Sequence, residues 1–115
     1  MGDYGISVTW GEAKMGREKR AIELFLDAVA FNEKLVANGA AERWDVVLFK
    51  PSGRGAVHYY GSVEQMDALA ARSEEFLSIV GRGELLLHAF GFKRFVTGEA
   101  LASSMGNFST LLESL

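Results

Sequence analysis

The apolar residues of this chain switch repeatedly between two spacings, and that alternation limits its fold more than any single motif. In "YGISVTW", Tyr4, Ile6, Val8 and Trp10 alternate with Gly5, Ser7 and Thr9, the period of a half-buried strand. From Arg17 to about Asn38 the period becomes helical. Ile22, Phe25, Val29 and Val36 follow one face, Leu24, Ala28, Phe31 and Leu35 widen it, and Asn38-Gly39 closes the helix. "RWDVVLF" and "AVHYYG" are rich in β-branched and aromatic residues and read as two hairpin strands joined by the turn "KPSGRG". Ser62 and Gln65 have the spacing of a capping box. The helix they open carries Met66, Leu69, Ala70, Ser73, Phe76, Leu77 and Val80, and Gly81 and Gly83 are expected to break it. "ELLLHAFGFKRFV" reads as one long fourth strand, and Leu101, Met105, Phe108, Leu112 and Leu115 as the stripe of a last helix.

The element order is therefore β-α-β-β-α-β with a C-terminal helix, the split βαβ or ferredoxin-like arrangement. It predicts an antiparallel sheet in the order 4-1-3-2, with the first two helices on one face. A length of 115 residues, 49% of them apolar and a single one proline, suits one globular domain spanning 1–115. A sheet with one wet face should alternate apolar with polar residues, and the later strands do not. Trp44, Val46 and Leu48 lie opposite Val47 and Phe49, and Val57 and Tyr59 lie opposite His58 and Tyr60. Two helices cover one face only. The other face is expected to be covered by the last helix, by a second subunit, or by both, which makes a homodimer through the sheet face the expected assembly.

Several functional classes are disfavoured by composition. The net charge is −3 and neither half is strongly basic, so no nucleic-acid partner is expected. Cysteine is absent, which removes disulfides, thiolate metal sites and cysteine nucleophiles. No apolar run approaches the ~18 residues of a membrane span and no leader follows Met1, so a soluble cytoplasmic protein with no membrane partner is expected. Gly11 and Gly16 have the spacing of a phosphate-cradling loop, but Arg17 and Glu18 stand where the Walker lysine and hydroxyl are needed. The loop is read as a strand-to-helix connection. Arg17, Lys19 and Arg20 crowd the positive end of a helix dipole, which marks Arg17 and Lys19 as anion-binding candidates if the cluster is not simply solvated.

His58 and His88 are the only histidines, and both fall in predicted strands either side of the first. Two strand spacings put their backbones ~9–10 Å apart. If they share a face with Ser7, they flank a shallow space beside Tyr60 and Phe90, a small-molecule site. The plainer alternative gives each histidine one hydrogen bond at an interface or rim. Asp45 is either a general base or a charge that protects an edge strand from pairing with other chains. No third ligand accompanies the histidines, so neither a metal nor a cofactor is expected.

Element order and apolar sheet faces resemble the dimeric α+β barrel superfamily, which includes antibiotic-biosynthesis-type monooxygenases, muconolactone isomerases and YCII-related proteins. More narrowly, "WGEAKMGREKRAIELF", "ERWDVVLFKPSG" and "SEEF" resemble a group of small uncharacterised bacterial proteins. The resemblance implies two copies pairing sheet against sheet. The monooxygenases use Asn, Trp and His around a cofactor-free pocket, which adds Trp44 to the ligand-binding candidates. The expected function is small-molecule binding or assembly without catalysis. The alternative is a cofactor-independent oxygenase or isomerase, with His58 or His88 working beside Tyr60 or Asp45 as acid and base.

Overall fold

Strict alternation in β1 (Tyr4–Trp10) divides the molecule into two sides: Ile6 and Val8 are buried, whereas Ser7 and Thr9 face the other way and are not. The structure is a computed structural model that describes residues 2–72 and 74–114. Ser73 and Leu115, both assigned to helical stripes by the sequence, lie outside the described residues. The remaining elements are α1 (Glu18–Ala37), β2 (Arg43–Phe49), β3 (Arg54–Gly61), α2 (Val63–Arg72), α3 (Glu74–Leu86), β4 (Gly91–Val96) and α4 (Gly98–Glu113). The four strands form one antiparallel sheet in the order β2-β3-β1-β4, the expected 4-1-3-2 order seen from its other edge.

Register assigns each residue to a face. Ile6 pairs with Tyr59 and Val8 with Val57, and these four side chains meet Phe31 and Leu35 of α1, Met66 and Leu69 of α2, and Phe76 of α3. Burying each such side chain contributes about 1.5–3 kcal/mol, enough to fix which face the helices cover. On the opposite, open face Ser7 lies between His58 and Lys93, and Gly5 between Tyr60 and Phe95.

The helix ends follow local chemistry. Gly39 takes φ +80 beyond α1. Its N–H donates to Val36 and that of Ala40 to Leu35, satisfying carbonyls that the helix leaves open. The Ser62 N–H donates to Gln65 Oε1 at 2.7 Å and the Gln65 N–H to Ser62 Oγ at 3.1 Å, the reciprocal capping box anticipated from the sequence.

The segment after Phe76 departs from expectation. Gly81 and Gly83 do not end the helix, which continues to Leu86, and the fourth strand starts only at Gly91. Gly83 is buried because the Phe90 ring lies where its Cβ would stand. A glycine at that site lets the ring dock on the helix, and the helical stripe Phe76, Val80, Gly83, Leu86 survives. Residues 87–90 then turn: Leu87 bridges Ala13, the His88 N–H donates to Glu12, and Ala89 adopts φ +51.

Candidate functional site

Small side chains on the sheet-facing side of α1, Ala21 and Ala28, leave space that the core does not fill. A cavity of about 570 Å³ results, bounded by α1, α3 and the helix-facing side of the sheet. That volume is in the range of small-molecule sites. Its aromatic walls come from every layer: Trp10, Trp44 and Tyr59 from the sheet, Phe25 from α1, Phe76 from α3 and Phe90 from the turn before β4. The Trp10 indole N–H is held by Gly53 O at 3.0 Å, which ties the end of β1 to the hairpin turn. Exposed Glu12 and Glu18 complete the lining.

One polar couple interrupts the apolar wall. Tyr59, 1% exposed, donates its hydroxyl to Asn32 Oδ1 at 2.6 Å, and Asn32 is 2% exposed. Burial raises the Tyr59 phenol well above its ordinary value, and the bond to Asn32 only partly offsets the rise. Among the described residues no fully buried polar side-chain atom lacks a partner. The side-chain bond of Asn32 runs to its carbonyl, and the residue lines the cavity.

A second cluster occupies the open face. Cross-strand register sets Asp45 opposite His58 and Arg43 opposite Tyr60. Asp45 Oδ1 lies 3.0 Å from His58 Nδ1, and Asp45 Oδ2 accepts the Tyr60 hydroxyl at 3.1 Å. The Arg43 guanidinium stands 3.5 Å above the Tyr60 ring. The Phe95 ring covers Gly5, where a Cβ would collide with it, and meets Tyr60 and His58 edge-on at 5.3 and 5.7 Å. The Tyr60 phenol is raised first by burial and then by the Asp45 carboxylate, against the opposing pull of Arg43. A carboxylate on Nδ1 fixes the orientation of the imidazole.

The structure thus separates residues that the sequence had grouped. Trp44 and Phe90 line the cavity, whereas Ser7, Tyr60, His58 and Asp45 sit on the opposite face of the sheet. The two-histidine space is corrected. His88 is exposed in the turn after α3, with its carbonyl accepting from Gly11, and Lys93 stands across Ser7 from His58. Ser7 and Gly11 are four residues apart along the chain, roughly 13 Å for an extended strand. Arg17 and Lys19 are exposed at the start of α1. Asn32, Arg43 and Phe95 were missed. Asn32 offered a signal, a lone amide on the stripe that runs through Leu24, Phe31 and Leu35. Among the described residues no group of three or more His, Asp or Glu could hold a metal ion, and no helix is long and apolar enough to cross a membrane.

No family model and no curated protein matches the sequence. Solved structures do match the fold. The protein PA3566 of Pseudomonas aeruginosa superposes with a TM-score of 0.64 at 13% identity, over 85% of this chain and 96% of that one. A dimeric ferredoxin-like protein of unknown function from Jannaschia sp. CCS1 gives 0.59 at 10% identity, over 83% and 98%. A candidate antibiotic biosynthesis monooxygenase from Chloroflexus aurantiacus gives 0.55 at 12% identity, over 83% and 93%. At these identities the likeness establishes the architecture: the chain has a ferredoxin-like fold, shared with proteins described as dimeric.

Proposed function

We propose that this ferredoxin-like chain binds a small, largely apolar molecule between α1, α3 and the sheet, and works as a homodimer paired through its open sheet face. The observation that carries the reading is the aromatic-walled cavity of about 570 Å³ with a single buried polar couple, Tyr59 and Asn32. Flat walls from Trp44, Phe76 and Phe90 favour a ring system, and the Asn32 amide favours a ligand with one carbonyl-type acceptor. The half-buried rings of His58, Tyr60 and Phe95 on the open face support pairing, because single apolar residues are common on surfaces but such clusters are not.

Titration with 8-anilinonaphthalene-1-sulfonate tests the cavity. One dye should bind per chain with a roughly micromolar Kd and quench Trp10 and Trp44 by energy transfer. Filling the cavity with Ala28→Phe should weaken binding at least about tenfold while the melting temperature holds. Dye binding that Ala28→Phe leaves unchanged argues against the site. For the pairing, light scattering should find a dimer, with an interface above ~1,000 Å² in total.

A second reading is favoured by one contact, the 3.0 Å approach of Asp45 to His58. An imidazole so oriented suits proton transfer in an isomerase or a cofactor-independent oxygenase, with Tyr60 as its neighbour. It predicts that a molecule bound at the open face beside His58, rather than in the cavity, is chemically altered by the wild type and left intact by His58→Gln.

A further inference from the structure

We propose that α4 is exchanged between two copies, each helix lying across the open sheet face of the other. This rests on the pairing through the open face proposed above, and it names the element that makes the contact. Beyond its first residues α4 is exposed within one chain, at every described residue from 101 to 114. Leu101, Met105, Phe108 and Leu112 form a stripe along it, with exposures of 41, 56, 54 and 53%. A helix of 16 residues containing Gly106 and several serines does not hold its shape alone in water, so packing must sustain it.

The base of α4 is nevertheless fixed. The Thr97 N–H donates to the Asp3 carbonyl at 2.7 Å, and the Ala100 N–H to the Asp3 carboxylate at 3.3 Å. Gly98 turns between them at φ +60, against the same carboxylate. The helix is clamped in a direction that carries it off its own domain. The radius of gyration is 16.1 Å, where a compact chain of this length has about 13 Å.

The surface area says how large a partner is missing. The chain exposes 7508 Å², whereas a compact monomer of 12.6 kDa exposes about 6,200 Å². The excess, about 1,300 Å², exceeds the roughly 800 Å² that each partner contributes to a standard stable interface. A second copy supplies the complement. Its open face offers the rings of His58, Tyr60 and Phe95 along strands of six to eight residues, about 20–26 Å, and α4 is about 24 Å long. Charge also matches. Glu99 and Glu113 are the only charges on α4, while Lys93 lies on an outer strand of the open face and Asp45 is already engaged by Arg43 at 3.8 Å, by His58 and by Tyr60. A helix without a single cation has little to offer an anionic membrane surface.

The absence of cysteine allows a direct test in the full chain. Met105→Cys and Ser7→Cys variants, mixed, refolded together and oxidised, should give a disulfide-linked pair of about 25 kDa, twice the 12.6 kDa chain. The yield should exceed that of either variant alone. Phe108→Asp combined with Leu112→Asp should weaken the wild-type dimer by about 100-fold or more. A wild-type particle of 12.6 kDa at micromolar concentration would overturn both the pairing and the exchange. A dimer that tolerates the double substitution, or a Met105–Ser7 mixture that never cross-links above the single variants, overturns the exchange and leaves the pairing standing. The cross-link decides the matter even if the double variant fails to fold.

Discussion

Tyr59 and Asn32 are joined by a 2.6 Å hydrogen bond in the wall of the cavity, a phenol on the central region of the sheet meeting an amide on the buried stripe of α1. Removing the hydroxyl with Tyr59→Phe strands the Asn32 carbonyl and should cost about 1–3 kcal/mol at neutral pH. The pH dependence has a definite sign. Burial raises the folded phenol above its ordinary value of 10.0, so the unfolded chain loses this proton first as the solution becomes alkaline. The contribution is therefore complete below pH 10 and declines above it. In urea unfolding, the stability gap between wild type and Tyr59→Phe should be flat from pH 7 to 9 and narrow above about pH 10. A gap independent of pH would mean that the phenol is not buried as described.

Gly81 and Gly83 lie in the same helix and should respond oppositely to alanine. A Cβ on Gly81 meets open space, so Gly81→Ala should stabilise the protein by up to about 1 kcal/mol. A Cβ on Gly83 meets the Phe90 ring, so Gly83→Ala should cost about 1–3 kcal/mol and displace Phe90 from the cavity wall. Chemical denaturation and dye affinity measured on both variants check the pair. Equal effects would contradict the docking of Phe90 on α3.

Nucleotides should not bind at the loop between β1 and α1. Phosphate recognition needs amide groups turned towards the ligand, but here the Gly11 and Lys14 N–H groups donate to His88 and Leu86. ATP and GTP, with or without Mg²⁺, are expected to leave the melting temperature unchanged. A true ligand at 100 times its Kd would add ~2.7 kcal/mol, a shift of several degrees. A nucleotide-specific shift abolished by Arg17→Ala would refute this.

The capping box joins two helices, because the Gln65 amide also donates to Gly39 O at 2.9 Å beyond the end of α1. Ser62→Ala should cost about 1 kcal/mol. Gln65→Ala removes the reciprocal bond and the tie to Gly39, so its cost should be larger. Thermal melts that rank them the other way would show the tie to be idle.

The first three strands, α1 and the start of α2 were legible because each combines a clear period with a matching end signal, as Ser62 and Gln65 do. "ELLLHAF" was not, since a short continuous apolar run suits strand and buried helix equally. The deciding contact, Phe90 on Gly83, spans the turn and leaves no periodic trace. The open-face pair of Asp45 and His58 was half legible: both residues stood out, but their partnership depends on the register of the hairpin. The cavity was the least legible feature. It is a gap between α1 and the sheet, and a gap depends on how far two elements stand apart rather than on the pattern within either.

One consequence concerns synthesis. β1 leaves the ribosome before either of its neighbours in the sheet, which are β3, from residue 54 onwards, and β4, from residue 91 onwards. With chain growth at about 5–20 residues per second, the central strand waits several seconds for its second partner. During that interval its N–H and C=O groups on that side are open to any passing strand. Pairings of such long sequence separation also close slowly. The domain therefore completes its sheet only once β4, at Gly91–Val96, has been made, and a nascent chain halted before it leaves a central strand of the sheet with an unprotected edge.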